Sequence, residues 1–502
     1  MPLKTPPPTG APASQDDRTR TGSGARLRKP LILLALCLGQ FMIQLDLTIV
    51  NVALPSIGRD LGGSVTGLQW VVDGYSLALA SLLLVGGRLG DRSGHKRVYL
   101  AGLAIFAVSS VLCAAAPSIG WLIGFRVLQG GGAAIELPAT LAILTHTFTE
   151  QRERVQAVGI WTGAAGSSLV IGPVLGGGLI AVFAWRAIFL VNVPIAVLIG
   201  ALTLWTVRET VEPDAGHLDV PGQLLGTATL ALLAGGVIEG GRQGFASPFT
   251  LFLLPAGLVS LAAFVTVERV RQHPMLPLAV FRSLAYSAAN ADGLVMGFVT
   301  VGVLFLFALF FQQVQGDSAI AAGLRFVPLT IAFVIVGPLL GRVINRIGHR
   351  VPMAAGCTLM GLGALALLPI EASSGYGGVA WPFVIIGVGY GLTSTPMAAA
   401  VLGAVPASRA GMASSTNLAA RVTGGVFGIA ILGALLPNQG GHGETGAFTL
   451  GLHAALLVAG IVALSGAAAA AAFIRSPAAR EGFGQQRACP ASTLQRERRG
   501  EG

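Results

Sequence analysis

The feature that most constrains the fold of this chain is a series of apolar runs, each about as long as one membrane crossing. A helix needs roughly 20 mostly apolar residues to cross the hydrocarbon core of a bilayer. About fourteen such runs lie between Leu31 and Ile474. Only 11% of the residues are charged, whereas a typical soluble protein has about 25%. The sequence therefore predicts an all-α integral membrane protein.

The loops between these runs differ in charge, and the difference predicts an orientation. Lys and Arg in short loops favour the cytoplasmic side of a membrane. Both basic chain ends and most basic loops fall on one side, while the opposite loops hold little beyond Arg59, Arg186 and Arg242. We therefore predict a multi-pass protein of the cytoplasmic membrane with both termini in the cytoplasm. The net charge of +10 does not indicate a nucleic-acid partner, because the basic residues lie in tails and short loops.

One short basic loop has a distinctive composition and occurs twice. Gly87–Lys96 reads GRLGDRSGHK and Gly341–Arg350 reads GRVINRIGHR, each between two apolar runs. The offset between the copies is 341 − 87 = 254 residues. Paired repeats are the usual construction of secondary transporters. The repeat therefore predicts two related six-helix halves, with the two remaining runs inserted between them as a hairpin.

The predicted organisation follows from this repeat. Residues 1–29 and 476–502 are polar and basic, and we predict that they are disordered cytoplasmic tails. Residues 30–207 form the N-terminal half, 208–283 the inserted hairpin with its cytoplasmic flanks, and 284–475 the C-terminal half. The four cysteines and seven histidines are scattered, so the sequence predicts neither a disulfide framework nor a metal site.

Several ionisable residues lie inside the apolar runs, where a charge is costly and therefore indicates a function. A proton carrier must titrate near neutral pH. An exposed aspartate titrates near pH ~3.9, and burial can raise a carboxyl pKa by up to about 3–5 units. Asp46 in the first run has such surroundings, and Arg126 in the fourth run is able to approach it or Asp73. A structural ion pair is the alternative for each. The remaining candidates are Asp292, Arg325 and Arg421.

A second group of polar residues predicts a substrate cavity. Glu136 and Gln129 lie on the fourth run, and Gln44 lies beside Asp46 on the first. An unpaired carboxylate at the depth of Glu136 is either neutral or meets a cation. We therefore predict that Glu136, Gln44 and Gln129 face the cavity. Five phenylalanines of the ninth run offer a lining for an apolar pocket, but helical spacing spreads them round the helix axis, so we predict that some of them face lipid; they are Phe298, Phe305, Phe307, Phe310 and Phe311.

The fifth run is interrupted by the sequence Gly172-Pro173-Val-Leu-Gly176-Gly177-Gly178. Proline removes a helix hydrogen bond, and glycines allow helices to approach closely. The run therefore predicts a bent helix in tight contact with a neighbour. This contact is either a packing kink or a functional interface.

These stretches together resemble the signatures of one family. The loop Gly87-x-Leu89-x-Asp91-Arg92-x-Gly94 is similar to the loop between helices two and three of the major facilitator superfamily. Three other stretches resemble signatures of its fourteen-helix drug:proton antiporters; they are Leu45-Asp46-x-Thr48-x-x-Asn51 in the first helix, Arg126-x-x-Gln129-Gly130-x-Gly132 in the fourth, and Gly172-Pro173-x-x-Gly176-Gly177 in the fifth. The resemblance covers nearly all of residues 31–474. It departs from the family pattern at Glu136, where an apolar residue is usual.

The resemblance implies a function and a role for each motif. It implies proton-coupled efflux of hydrophobic or amphipathic drugs or antibiotics by alternating access. Proton coupling is then assigned to Asp46, Arg126 and Asp73. The implied cytoplasmic gate consists of Gly87, Asp91, Arg92, Gly94 and Lys96, and the antiporter signature of Gly172, Pro173, Gly176 and Gly177.

The same resemblance implies which partners to expect. They are a small-molecule drug, protons and the lipid bilayer, with no nucleic acid, and the protein is expected to function as a monomer. We expect no cofactor, no metal and no enzymatic activity, because the proton gradient supplies the energy. No sequence of the form GxxxxGK[ST] occurs, so ATP does not drive the protein within this chain.

Three other functions remain open on the residues alone. A proton symporter or facilitator for a small metabolite is the first, and Gly172–Gly177 argues against it, because uptake symporters generally lack that signature. A membrane enzyme acting on lipid is the second. It would need a nucleophile and a base near one membrane face, and the sequence offers no such set. A sensor that transports nothing is the third.

Overall fold

The computed structural model describes residues 15–209, 219–271, 274, 276, 278–336, 348–405, 410–436 and 445–474. These residues are mostly helical, and the helices are α1 (Gln15–Leu61), α2 (Val65–Ser93), α3 (His95–Ala114), α4 (Ile119–Thr147), α5 (Gln151–Phe183), α6 (Ala187–Thr206), α7 (Val220–Gln243), α8 (Pro248–Val270), α9 (Leu284–Leu309), α10 (Ala319–Val336), α11 (Arg350–Ala366), α12 (Tyr376–Gly403), α13 (Ala410–Ala434) and α14 (Thr445–Phe473). A 3₁₀ turn, Leu278–Arg282, precedes α9, and a π-helical turn, Phe310–Val314, extends it. The prediction of an all-α membrane fold is confirmed.

The helices differ in whether their length and composition suffice for a membrane crossing. Among the described residues, eleven helices are long and apolar enough to cross a membrane. A twelfth is added if the two arms of α5, Gln156–Ser168 and Ile171–Phe183, which meet at an angle of 42°, form one span. The helices α2 and α11 fall outside this set, and α11 has only 17 residues. Fourteen spans therefore stays a prediction.

The first helix begins earlier than the apolar pattern predicts. α1 starts at Gln15, inside the stretch 1–29 that was predicted to be a disordered tail. A polar segment can continue a helix that an apolar span has already nucleated, because adding a residue costs less than starting a helix. The prediction for residues 1–14 and for 476–502 lies outside the described residues.

The helix boundaries follow local sequence signals. Ser64, Ser247, Ser283 and Ser318 each stand just before a helix, and their hydroxyl oxygens accept hydrogen bonds from backbone N–H groups of its first turn. Serine is favoured there because it satisfies a donor that has no partner inside the helix. Gly94 separates α2 from α3 with a φ of 97°, a conformation that glycine adopts without steric cost.

The same helix pairing occurs in both halves of the chain. In the N-terminal half α3 packs on α4 so closely that a Cβ added to Gly102 would lie 2.8 Å from the carbonyl oxygen of Gly132. In the C-terminal half α11 packs on α12, and a Cβ added to Gly356 would lie 2.6 Å from the carbonyl oxygen of Gly389. Small residues allow such close packing of membrane helices.

The helices α7 and α8 form a hairpin beside the two halves. The Thr229 hydroxyl of α7 donates to the Ser260 hydroxyl of α8 at 3.0 Å. Towards the halves, Ala234 of α7 packs in a small buried cluster with Leu77 of α2 and Val426 of α13. The outer side of α8 is largely exposed on the surface of the protein.

Candidate functional site

The most buried charges in the N-terminal half form an ion pair between α1 and α4. Asp46 and Arg126 are both fully buried, and the Arg126 Nη1 group donates to Asp46 Oδ2. The same nitrogen donates to Gln129 Oε1 at 2.7 Å, and Arg126 Nε donates to the Val71 carbonyl at 3.1 Å. The structure therefore brings Arg126 to Asp46, as the sequence allowed, and to the backbone of α2 rather than to Asp73.

Two amides complete the contacts of the Asp46 carboxylate. Gln129 Nε2 donates to Asp46 Oδ1 at 2.9 Å, and Asn192 Nδ2 of α6 donates to the same oxygen at 3.0 Å. Gln129 Nε2 also donates to the Ser110 hydroxyl of α3 at 2.9 Å. We refer to Asp46, Ser110, Arg126, Gln129 and Asn192 as the Asp46 cluster. The Asp46 carboxylate joins α1 to α4 and α6 directly, and Gln129 extends the cluster to α3.

The guanidinium group of Arg126 also lies over aromatic rings. Its central carbon is 4.2 Å from the centre of the Tyr75 ring and 5.8 Å from that of Phe189. The Arg126 Nη2 group has no hydrogen-bond partner among the described residues. A cation over a desolvated aromatic face gains about 2 kcal/mol, so the arginine retains contacts even where Asp46 does not neutralise it.

Asp73 is a second buried acid on α2. Its side chain is fully buried, and neither carboxylate oxygen has a hydrogen-bond partner among the described residues. It therefore differs from Asp46, whose two oxygens accept three hydrogen bonds. An unpaired buried carboxylate is costly when charged, and Arg126 bonds to Asp46 rather than to Asp73.

Glu136 lies in the interior of the N-terminal half. A Cβ added to Gly39 of α1 would lie 2.7 Å from the Oε1 atom of Glu136 and 2.5 Å from the hydroxyl oxygen of Tyr99 on α3. Neither carboxylate oxygen has a partner among the described residues. Gln129 belongs to the Asp46 cluster, and Gln44 is half-buried on α1. The three residues predicted to share a substrate cavity therefore have different surroundings.

The glycines of α5 form two tight helix contacts near the outer end, meaning the end of the bundle opposite the α2–α3 turn. A Cβ added to Gly176 would lie 2.7 Å from Ile49 Cγ1 of α1. A Cβ added to Gly177 would lie 2.6 Å from Ile320 Cα and 2.7 Å from the Ala319 carbonyl oxygen of α10. Among these glycines, Gly178 is different, because nothing lies within 4 Å of the corresponding position.

The other two members of the predicted antiporter signature take part in the same contacts. Gly172 packs against Thr48 of α1, and the Pro173 carbonyl packs against Gly323 of α10. The contact of Pro173 and Gly177 with Ala319, Ile320 and Gly323 is called the α5–α10 contact. It joins the N-terminal half to the C-terminal half.

Hydrogen bonds also join the two halves near the outer end. Gln69 Nε2 at the start of α2 donates to the Ile429 carbonyl of α13 at 3.0 Å. Gln312 Nε2 at the end of α9 donates to the Val52 carbonyl of α1 at 3.0 Å. Together with the α5–α10 contact, these bonds hold the outer ends of the two halves together in this conformation.

The predicted cytoplasmic gate lies at the inner end, around the α2–α3 turn. The Glu209 carboxylate, which follows α6, accepts hydrogen bonds from the backbone N–H of Lys96 at 2.9 Å and of Arg97 at 3.2 Å. It also packs against Gly94. An acidic group at a helix N-terminus is favoured because it satisfies free N–H groups and complements the helix dipole. Glu209 therefore fixes the start of α3.

The other members of the predicted gate lie on α2 and in the turn that follows it. Gly87 lies on α2 near Pro138 of α4, and Arg92 is exposed. The side chain of Asp91 lies outside the described residues, as does the second copy of the loop over residues 341–347.

The remaining candidates lie in the C-terminal half. Asp292 is fully buried, and its carboxylate oxygens have no partner among the described residues. Arg325 pairs with Asp317 at 2.9 Å, which is the structural alternative that the sequence left open. Arg421 is half-buried on α13. The five phenylalanines of α9 and its π-helical turn are all buried in the interior. The prediction that some of them face lipid is therefore wrong, because neighbouring helices pack round every side of α9 that carries them.

Several functional neighbours were missed at the level of sequence. Asn192 and Ser110 are polar residues inside apolar runs, and that signal alone could have selected them, because buried polar groups in membrane spans need partners. Glu209 offers no such signal, because it stands in a polar flank. Its contact with the α2–α3 turn depends on the tertiary fold.

Comparison with known proteins gives the family of this arrangement. Residues 36–429 match the profile of the Major Facilitator Superfamily. The chain is 40% identical over 411 residues to "Multidrug resistance protein Stp" of Mycobacterium tuberculosis, covering 81% of this chain and 75% of that protein. It is 35% identical over 431 residues to "Methylenomycin A resistance protein" of Streptomyces coelicolor, covering 86% and 90%. It is 35% identical over 422 residues to "Tetracenomycin C resistance and export protein" of Streptomyces glaucescens, covering 84% and 78%.

Solved structures share the fold at lower sequence identity. A bacterial homologue of the human lysosomal transporter Spinster, in an inward-facing and unoccupied conformation, matches with a TM-score of 0.62 and 19% identity over 88% of this chain and 96% of that chain. The peptide transporter POT in complex with sulfate matches with a TM-score of 0.63 and 16% identity over 88% and 95%. At these identities the likeness concerns the fold alone.

Proposed function

The chain belongs to the major facilitator superfamily, and on this premise we propose that it exports hydrophobic or amphipathic drugs or antibiotics in exchange for protons. The names of its relatives support the substrate class, because they include multidrug resistance and antibiotic export proteins. The observation that carries the proton coupling is the buried Asp46–Arg126 pair. We further propose that the chain acts as a monomer in the cytoplasmic membrane, with both termini in the cytoplasm and with no cofactor or catalytic activity.

The proposed coupling starts from the hydrogen bonds of Asp46. When a proton binds Oδ2, Arg126 loses its anionic partner and leaves a buried charge unpaired. Breaking a buried ion pair by neutralising one partner costs about 3–5 kcal/mol. Arg126 keeps its contacts with Gln129, the Val71 carbonyl and the Tyr75 ring, so α2 and α4 still hold it while its link to α1 is weakened. Protonation of Asp46 therefore favours a second arrangement of α1 against α4.

The helix contacts near the outer end connect this local change to transport. Asp46 and the packing partners of α5, which are Thr48 and Ile49, lie within one turn of each other on α1. A displacement of α1 against α4 therefore changes the surface on which α5 packs, and α5 also contacts α10. A few kcal/mol is enough to shift an equilibrium between two conformations. In this proposal, protonation alters the contact that closes the outer end.

Direct measurement of energy coupling tests the proposed function. Purified protein is reconstituted into liposomes that contain a fluorescent lipophilic drug, and a pH gradient is imposed by dilution. We expect drug movement that follows the gradient and stops when a protonophore is added. Movement that ignores the gradient and requires ATP would contradict the proposal, as would gradient-driven uptake of a small metabolite with no drug movement.

A further inference from the structure

A surface groove lies at the inner end of the N-terminal half, and of its lining only Lys96 belongs to the predicted cytoplasmic gate. It lies between α1 at Arg28, the start of α3 and the end of α6, and its volume is about 520 Å³. Its polar lining consists of Arg28, Lys96, Arg97, Arg208 and Glu209. We call it the basic groove. Four cations and one anion give its walls a formal charge of 4 − 1 = +3.

Two of these cations terminate α6 and keep further donors for a ligand. Arg28 Nε donates to the Thr206 carbonyl at 2.6 Å, and Lys96 Nζ donates to the Leu204 carbonyl at 3.0 Å. Cations at a helix C-terminus are stabilising because the last carbonyls have no partner in the helix. An arginine has five N–H donors and a lysine has three. Each side chain therefore has donors beyond the one that these bonds use.

The one acid of the groove is already engaged. Both Glu209 oxygens accept backbone hydrogen bonds at the start of α3, and the Arg97 Nε atom lies 3.6 Å from one of them. The Arg97 side chain nevertheless remains 79% exposed, and Arg208 is also exposed. The open part of the groove therefore presents cationic groups.

One wall of the groove continues onto an apolar surface. Trp205 is 78% exposed and Leu204 is 63% exposed at the end of α6, and both line the groove. Tryptophan is enriched where a membrane protein crosses from hydrocarbon to water. The groove therefore lies at the level of the lipid headgroups, with its cations next to a surface suited to an acyl chain.

We propose that the basic groove binds an anionic phospholipid, with the phosphate among Arg97, Arg208 and the free donors of Arg28 and Lys96. Basic pockets between membrane helices bind anionic headgroups in this way, and the planar guanidinium group matches a phosphate with two parallel hydrogen bonds. The apolar wall of Trp205 and Leu204 distinguishes a lipid from a soluble phosphate. The inference goes beyond the proposed function and does not depend on proton coupling.

Trp205 provides a direct readout of this binding. Purified full-length protein in a neutral detergent is titrated with phosphatidylglycerol or phosphatidylcholine that carries brominated acyl chains, which quench a tryptophan on contact. The difference between the wild type and Trp205→Phe gives the signal of Trp205. We expect quenching at a lower mole fraction of the anionic lipid than of the zwitterionic one. Equal quenching by the two lipids would overturn the proposal.

Variants identify the cations that are responsible. Arg97→Gln with Arg208→Gln is expected to weaken the anionic lipid by roughly 30-fold, since each cation near a membrane surface contributes about 1 kcal/mol. Arg97→Lys with Arg208→Lys keeps the charge and is expected to retain the preference. The matched control is Arg269→Gln with Arg350→Gln, which removes two exposed cations outside the groove and is expected to change nothing. Unchanged binding in Arg97→Gln with Arg208→Gln would overturn the proposal, because these are the exposed cations of the open part of the groove.

A competition experiment separates a lipid from a soluble anion. Glycerol 3-phosphate is added to wild-type protein that is already quenched by brominated phosphatidylglycerol. We expect no release at millimolar concentration, because the soluble headgroup lacks the acyl chain that contacts Trp205. Complete recovery of the Trp205 fluorescence at millimolar glycerol 3-phosphate would show that the headgroup alone competes for the site. That result would overturn the assignment to a lipid.

Discussion

The first helix of the N-terminal half and the first helix of the C-terminal half have very different surroundings. On α1, Asp46 is bonded to Arg126 and Asn192 in a buried polar cluster. By the repeat offset, the residue of α9 at the position equivalent to Asp46 is Thr300, since 46 + 254 = 300. Around α9 the interior is aromatic, and the Phe307 ring contacts three others with centroid distances of 5.1–5.7 Å.

This difference suggests that the two halves, which share one arrangement of helices, have different roles. We call this the division of labour between the halves. A buried ion pair contributes little net stability, because its desolvation penalty offsets the attraction. Packed aromatic rings gain about 0.5–1.5 kcal/mol per pair beyond the area they bury. We therefore propose that the C-terminal half is a rigid support and that the N-terminal half holds the groups that respond to a proton. Asp292 is the exception, because it is a buried acid on the aromatic side.

The largest expected effect comes from neutralising the carboxylate of the Asp46 cluster. Asp46→Asn leaves Arg126 without an anionic partner, and we expect gradient-driven efflux to fall by at least roughly 100-fold, consistent with about 3–5 kcal/mol for a broken buried pair. Drug-induced proton release from purified protein, followed with a pH indicator, is expected to disappear.

The matched control for this change lies on the same helix. Asp60 forms an ion pair with Arg186 at 2.6 Å, and its side chain is 46% exposed. Asp60→Asn is expected to keep both efflux and proton release, because exposed pairs contribute only about 0–1 kcal/mol. Proton release that survives in Asp46→Asn would move the carrier to Asp73 or Glu136 and leave the division between the halves intact.

The next effect tests the contact between the halves. Gly177→Ala places a Cβ 2.6 Å from Ile320 Cα, and overpacking of this kind costs about 1–3 kcal/mol. We expect efflux to fall by roughly tenfold or more at normal protein abundance. Gly178→Ala is the matched control, since nothing lies within 4 Å of its added Cβ, and its efflux is expected to stay within about twofold of the wild type. An equal loss of efflux in Gly177→Ala and Gly178→Ala would mean that any side chain in this stretch is harmful, whether or not it meets α10.

A smaller effect is expected at Glu136. If its carboxylate contacted the drug, Glu136→Gln would reduce resistance to cationic compounds more than to neutral ones. Because the carboxylate lies between α1 and α3 beside Gly39 and Tyr99, we expect an equal reduction of roughly three- to tenfold for both classes, from about 1 kcal/mol for an altered buried polar group. Resistance profiles with paired cationic and neutral drugs measure this, and a selective loss would place the substrate next to Glu136.

The smallest expected effect concerns Asp292, the buried acid of the otherwise aromatic C-terminal interior. Asp292→Asn is expected to leave the number of protons released per drug unchanged, with efflux within about twofold of the wild type, because Asp292 is not connected to the Asp46 cluster. Proton counting on purified protein checks this. A stoichiometry that falls by one proton would give the C-terminal half its own carrier and break the division of labour.

Much of the fold and part of the site could be predicted from the sequence. The length and composition of the apolar runs predict an all-α membrane protein, and charges inside them select Asp46 and Arg126. The partners of Asp46 could be predicted only in part, because Asn192 reaches it from α6 by tertiary packing. The role of Glu209 could not be predicted from the sequence, since a single acid in a polar flank carries no periodicity. The position of Glu136 inside one half likewise depends on how α1 and α3 pack around it.

The inserted hairpin has a consequence for how a hydrophobic molecule reaches the protein from the bilayer. Ala234 of α7 packs with Leu77 of α2 and Val426 of α13, and Gly241 packs against Ala434 of α13. The line where α2 meets α13 is therefore covered from the lipid by α7. We therefore expect no lateral entry for a compound dissolved in the hydrocarbon on that flank. In the described part of the chain the two halves also meet where α5 contacts α10, and we expect lateral entry from the membrane to be confined to that side.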